Sequence, residues 1–166
     1  MKLTLLKNKR LIVTIFIMII FITSCTNNEN KTFLLEIQDG TTFYSVGQGH
    51  ILDLDSVIEF PSVIRSSGNK PVETKFTGIE LTKLFDSLNI NLSGKSKITF
   101  NALDGYMVVL DIEEIYEPKN VYLVLKRDGE YLKSQKQGGS GPYQIVIRRD
   151  PFSQRWCKHV GEIIIE

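Results

Sequence analysis

The first 25 residues constrain the fold most, because they separate an export segment from the part of the chain that must build a core. Four basic residues precede a run from Leu11 to Ile22 in which only Thr14 is polar. This run is shorter than the roughly 20 residues of a membrane-spanning helix, and a basic start followed by a short apolar stretch is typical of a cleaved signal peptide. We therefore expect residues 1–24 to be removed on export.

The cleavage region has the sequence Ile22-Thr23-Ser24-Cys25. It resembles the bacterial lipobox, in which the cysteine is acylated, for example with palmitate, and becomes the new N-terminus. The resemblance implies that Cys25 anchors an exported lipoprotein to the outer face of the cytoplasmic membrane, or to the outer membrane on its periplasmic side. An uncleaved membrane anchor and an ordinary signal peptide are the alternatives.

Removal of residues 1–24 leaves 142 residues, which is enough for one domain with a stable core. We predict a lipidated cysteine and flexible tether at 25–31 and a single domain at 32–166. The removed segment holds four of the 20 basic residues and none of the 19 acidic ones, so the remaining chain has a formal net charge of −3. A mildly acidic chain without a run of Lys or Arg lacks an electrostatic surface for nucleic acid, and we exclude that partner.

Once Cys25 is acylated, Cys157 is the remaining cysteine, and an intramolecular disulfide is excluded. Cys157 lies beside Trp156 in a stretch that we predict to be a packed strand. His159 would share its face of that strand, and His50 would have to close a metal site with them. Because the spacing does not bring His50 near, we predict no metal site.

Alternating apolar residues and turn signals predict a chain dominated by strands. The predicted strands are Phe33–Ile37, Thr42–Val46, Ile98–Phe100, Met107–Leu110, Val121–Leu125, Tyr143–Ile147 and Glu162–Ile165. Asp39-Gly40 and Asp128-Gly129 are predicted hairpin turns. Residues 48–69 show no regular pattern, with loop signals at Pro61 and at 66–69, and residues 137–142 are predicted to be a mobile loop.

Two helices are predicted among these strands. The longer one begins at Thr77, which forms a capping box with Glu80, and it carries an apolar stripe at Leu81, Leu84, Phe85 and Leu88. The shorter one spans Ile112–Tyr116 and stops before Pro118. Strands with a few irregularly placed helices indicate an α+β fold with a mixed β-sheet.

A basic cluster near the last two strands is the strongest candidate site. Arg148, Arg149, Arg155 and Lys158 are interleaved with aromatic residues next to a glycine-rich loop, a combination that could hold a phosphate or a flat heterocycle. A solvated sheet face is the alternative. The sequence shows no Gly-x-Ser-x-Gly nucleophile motif, phosphate-binding loop or metal-binding helix motif.

Several segments in order resemble the molybdopterin-binding domain of the sulfite-oxidase-like oxidoreductases. The resemblance covers roughly Val72 to Glu166, and the segments that carry it are Phe76–Phe85, Ile98–Tyr106, Leu110–Glu114, Tyr122–Glu130, Gly141–Ile147 and Arg155–Ile163. It implies a sulfite-oxidase-like molybdopterin-binding fold with molybdopterin as the candidate cofactor.

The resemblance departs from the catalytic pattern at one position. Catalytic members hold molybdenum through a cysteine in a Cys-x-Gly-Asn setting, and the matching segment here, Ser66-Ser67-Gly68-Asn69, offers serine. A hydroxyl is a poor substitute for a thiolate at a soft-metal site. Cys157 falls where the family has no metal ligand. The missing cysteine argues against a molybdenum oxidoreductase.

We therefore predict a membrane-anchored lipoprotein whose domain binds a pterin-type or other anionic ligand in an extracytoplasmic redox context. The alternative is a non-catalytic module that keeps the fold as a scaffold for a membrane or cell-surface protein. The predicted ligand contacts are Arg148, Arg149, Arg155 and Lys158 for the anion and Tyr106, Tyr143 and Trp156 for the ring.

Overall fold

The computed structural model describes residues 33–166, which form two five-stranded sheets and three short helices. The strands of the first sheet are β1 (Leu34–Asp39), β2 (Thr42–Gly47), β5 (Lys97–Ala102), β6 (Met107–Asp111) and β10 (Val160–Ile165). Their order is β2-β1-β10-β5-β6, with β1 and β10 parallel and the other neighbouring pairs antiparallel.

The strands of the second sheet are β3 (Val57–Ile64), β4 (Val72–Glu80), β7 (Val121–Arg127), β8 (Glu130–Tyr131) and β9 (Gln144–Ile147). The sheet is antiparallel throughout. Its order is β3-β4-β7, with β8 pairing one end of β7 and β9 pairing the other.

Apolar side chains from both sheets form one core. Residues 121–125 of β7 and all four residues of β9 are buried, so these strands are covered on both faces. The helices are α1 (Gln48–Leu52), α2 (Leu81–Ser87) and α3 (Ile112–Tyr116), and each buries its apolar residues against this core. Each fully buried Leu or Ile contributes about 1.5–3 kcal/mol relative to an exposed side chain.

The structure confirms the predicted α+β class, both hairpin turns and the bounds of α3. Gly40 has a φ of 59° between β1 and β2. Asp128 and Gly129 have φ values of 51° and 84° between β7 and β8, as a two-residue turn with positive φ at both positions requires.

The predicted capping box at Thr77 and Glu80 is wrong. Thr77 and Gly78 belong to β4, and α2 begins at Leu81 without a side-chain cap. A Cβ on Gly78 would lie 2.2 Å from the Leu123 carbonyl oxygen, so the glycine allows β4 to approach β7 closely. Strand pairing therefore replaces the local capping interaction, and the Glu80 carboxylate accepts the backbone N–H of Lys119 instead. The apolar stripe of the predicted helix is confirmed.

Residues 48–69 are more regular than predicted. They contain α1 and β3, and Pro61 lies inside β3. A strand tolerates proline at a sheet edge, and β3 is the edge strand next to β4. Cys157 is buried as predicted, but it lies in the irregular segment before β10 and not in a strand.

The predicted signal peptide, Cys25 and the tether at 25–31 lie outside the described residues. Within residues 33–166, none of the helices has the length and apolar character needed to cross a membrane.

Candidate functional site

A cleft of about 570 Å³ opens at the β8 side of the second sheet. One wall comes from Ile64 at the end of β3 and from Ser66 after it. Another comes from Arg127 and Asp128 and from residues 130–133, in the β7–β8 hairpin and the segment after it. The glycine-rich loop at 138–140 forms a third wall, and Gln144, Ser153, Trp156 and Lys158 complete the lining.

The glycine-rich loop is closely packed. A Cβ on Gly139 would lie 2.1 Å from the Lys133 carbonyl oxygen, and one on Gly141 would lie 2.4 Å from that of Leu132. The Gly141 N–H donates to the Lys133 carbonyl at 2.8 Å. The loop was predicted to be mobile, and the structure places it in close contact with the segment after β8.

His159 makes two further contacts with the same loop. Its backbone N–H donates to the Ser140 carbonyl at 2.8 Å, and its ring Nδ1 lies 2.9 Å from the Gly141 carbonyl oxygen. Because a carbonyl can only accept, Nδ1 carries the proton and is not available to a metal. His50 is exposed in the middle of α1. Residues 33–166 contain no group of three or more His, Cys, Asp or Glu side chains that could hold a metal ion.

The Cys157 thiol is enclosed in the core. Its Sγ lies 3.9 Å from the Phe100 carbonyl oxygen, and the side chain has no solvent exposure. Burial, with a smaller contribution from the charge of Asp104, raises the pKa of Cys157 to about 12. The thiol therefore stays protonated near neutral pH and does not act as a thiolate ligand.

The three predicted arginines lie outside the cleft and have partners within the protein. Arg155 donates to Glu114 at 2.8 Å and to Asp150 at 3.0 Å, and these bonds raise its pKa. Arg149 is 3.0 Å from Glu117. The Arg148 guanidinium lies 5.2 Å from the centre of the Phe60 ring.

The predicted aromatic residues are also dispersed. The Tyr143 hydroxyl lies in the core, 2.8 Å from the Phe33 carbonyl oxygen, and burial raises its pKa. Tyr106 donates to the Gln154 carbonyl at 3.2 Å, away from the cleft lining.

Trp156 and Lys158 are the members of the predicted set that the structure brings together at the cleft. The Trp156 indole N–H donates to the Ile147 carbonyl at 2.9 Å, so this residue presents ring surface to the cleft and not a hydrogen-bond donor. For all seven residues, a contact with a ligand stays a prediction.

Two cleft residues were missed by the sequence analysis. Gln144 is only 4% exposed, yet its side-chain amide makes no hydrogen bond to another described residue. Lys133 is exposed and makes no salt bridge within residues 33–166. A single polar residue at the start of the apolar strand Gln144–Ile147 is a signal that could have drawn attention to Gln144.

The charges of the cleft favour an anionic ligand. Arg127 and Asp128 offset each other, because both bond to Thr74 and their charged groups lie 3.5 Å apart. Hydrogen bonds from the Lys75 N–H and the Thr74 hydroxyl, together with the charge of Arg127, lower the pKa of Asp128. Lys133 and Lys158 then face a single carboxylate, Glu130, in the lining.

The cleft does not fit a thiolate-held molybdenum centre. Ser66 lines it at the position where the resemblance implies a cysteine. The lining contains neither Cys nor His, and the Cys157 thiol points toward the core. A neutral hydroxyl is a poor donor for a soft metal.

No family model matches this sequence, and no curated protein matches it. Among solved structures, it is similar in fold to a chain of the sulfane dehydrogenase SoxCD from Paracoccus pantotrophus, with a TM-score of 0.64 and 13% sequence identity. The match covers 80% of this chain and 38% of that one. The expected fold is thereby confirmed, and the relationship is a distant one that concerns the fold alone.

Proposed function

We propose that this protein is an exported, lipid-anchored binding module whose cleft holds a small, flat anion of the pterin type. The observation that carries this proposal is the cleft lining, in which two lysines accompany Gln144, whose side chain is 4% exposed and makes no hydrogen bond within residues 33–166. A pocket with a few convergent polar groups is a typical small-molecule site.

The proposal assigns no molybdenum redox chemistry to the chain. The dehydrogenase activity belongs to SoxCD, and this chain spans well under half of the SoxCD chain that it matches. What the similarity supports is a shared fold and no more. Serine at position 66 removes the thiolate that a molybdenum centre needs. An extracytoplasmic redox system is the context in which a pterin-type ligand would be used.

The test is the cofactor content of the full chain, purified in detergent from cells that make molybdopterin. Molybdenum would be measured by elemental mass spectrometry, and pterin by the fluorescence of its oxidised form. We expect no stoichiometric molybdenum and measurable binding of pterin-6-carboxylate by fluorescence titration. One molybdenum and one pterin per chain would instead make the protein an oxidoreductase, and failure to bind pterin-6-carboxylate would contradict the ligand proposal.

Lipid anchoring is proposed from the sequence around Cys25 and has its own test. The full chain should fractionate with membranes, and Cys25→Ser should move it to the soluble fraction or leave an uncleaved precursor. A soluble variant with the signal peptide replaced by a non-lipidated one serves as the control. If Cys25→Ser is processed and remains on membranes like the wild type, the cysteine is not the anchor.

A second candidate function, a scaffold for a protein partner, rests on exposed apolar side chains of the first sheet. Met107 and Val109 lie two residues apart on the edge strand β6 and are 58% and 43% exposed. Leu103, after β5, is 64% exposed. An exposed apolar surface of this kind is typical of interaction sites. Absence of any cleft ligand would favour this function.

A further inference from the structure

Gln144 is unusual among the polar residues of the cleft because its side chain is almost fully buried. It begins β9, pairs with Val124 of β7, and is 96% buried. Within residues 33–166, no side-chain nitrogen or oxygen is both fully enclosed and without a hydrogen-bond partner. The Gln144 amide makes no hydrogen bond to another residue of this described part, so its polar atoms are not fully enclosed by it, and Gln144 lines the cleft.

The chemistry of an amide limits what can bind against it. A glutamine side chain presents a donor and an acceptor side by side, whereas a phosphate or sulfate needs donors alone. An inorganic anion would leave the Gln144 oxygen unpaired in a buried position, which is unfavourable. A ligand with its own adjacent N–H and C=O would pair both atoms of Gln144 at once.

Several neighbouring side chains of the cleft already have hydrogen-bond partners or contribute only charge. The Trp156 indole N–H is occupied by the Ile147 carbonyl, and Arg127 is held by Thr74 and Asp128. Lys133 and Lys158 are exposed and can contribute charge without fixing the orientation of a ligand. The cleft therefore combines exposed lysines with one side-chain amide, Gln144, that is 4% exposed.

We infer that Gln144 determines the specificity of the cleft, by pairing with the cyclic-amide edge of a flat anionic heterocycle. This inference rests on the proposed function and adds the ligand group that is recognised. A site built around a buried hydrogen-bonding group rejects an analogue that cannot pair with it. Flat anions without an amide edge should therefore bind more weakly than those that have one.

The test compares two ligands on the full chain in detergent. Pterin-6-carboxylate has a cyclic amide and a carboxylate, and 2-naphthoate has a flat ring and a carboxylate but no amide. We expect Gln144→Leu to weaken pterin-6-carboxylate binding on the order of tenfold, because its amide loses a buried partner, and to leave 2-naphthoate unchanged or slightly tighter. Gln154→Leu, at an exposed residue outside the cleft lining, is the matched control and should change neither affinity.

Thermal denaturation shows whether each variant is folded. A second substitution keeps the inference testable if Gln144→Leu does not fold. Gln144→Glu keeps the shape of the side chain but loses the N–H donor and adds a charge, so it should also weaken pterin-6-carboxylate binding. Equal affinity of the wild type for both ligands, or an equal loss of both in Gln144→Leu, would overturn the inference and leave the proposed function standing. Binding of neither ligand by the wild type would overturn both.

Discussion

At the scale of single residues, the buried thiol of Cys157 makes stability depend on alkaline pH. Its pKa is about 12 in the folded chain against an ordinary value of 9.0, so between these values the unfolded chain has lost a proton that the folded chain retains. The unfolded state is then favoured as pH rises. The contribution of Cys157 is complete below about pH 9 and falls by up to about 1.4 kcal/mol per pH unit above it.

Cys157→Ala isolates the pH dependence that comes from Cys157, because the wild type and the variant both keep the buried tyrosines. The free energy of unfolding, measured with urea between pH 8 and 11, should fall less steeply in the variant than in the wild type. The variant should itself be less stable at pH 8, by about 1–2 kcal/mol, because a buried sulfur is removed. Parallel pH profiles for the two chains would show that Cys157 does not titrate as the structure indicates.

At the scale of elements, strands and turns were predictable where their signals are local, and the start of α2 was not. Both hairpins follow from Asp-Gly pairs between apolar runs. The Thr77-Gly78-Ile79-Glu80 segment has the composition of a capping box, but its conformation is decided by β7, more than 40 residues away in the sequence. Pro61 in β3 was misleading for a related reason, because only the sheet order shows that β3 is an edge strand.

The contact of β4 with β7 predicts a large difference between two glycine substitutions. Gly78→Ala places a methyl group 2.2 Å from the Leu123 carbonyl oxygen and 2.7 Å from Val124 Cα, both backbone atoms that cannot move without parting the strands. We expect it to lower the free energy of unfolding by about 3 kcal/mol or more in urea denaturation.

Gly49→Ala is the control for Gly78→Ala, because Gly49 lies in α1 with open space around its Cα and no positive φ. This substitution should be neutral or stabilise the protein by up to about 1 kcal/mol, since alanine favours the helix. Similar stabilities for the two variants would mean that β4 and β7 are not as close as the structure has them.

At the scale of the whole molecule, the candidate site depends on which loops meet, and the sequence predicts this only in part. Lys158 and Trp156, which line the cleft, were among the predicted residues because they lie close to other basic and aromatic residues in the sequence. Lys133 and Gln144 have no such neighbours in the sequence, and they reach the same cleft because β8 and β9 both pair with β7. The ion pairs of Arg149 and Arg155 could not be predicted, because their partners Glu117 and Glu114 lie just after α3 and on it, about 30 to 40 residues earlier.

Two double variants test whether the anion binds in the cleft or at the arginines. Each removes two positive charges, one pair inside the cleft and the other outside it. Lys133→Ala with Lys158→Ala should weaken pterin-6-carboxylate binding about threefold to tenfold, the range expected for two exposed charges, and should flatten its dependence on salt. Arg148→Ala with Arg155→Ala should leave the affinity within about twofold of the wild type, because these side chains lie outside the lining and Arg155 is held by Glu114 and Asp150. The reverse ranking would place the anion at the arginines and not in the cleft, because net charge alone would affect both double variants alike.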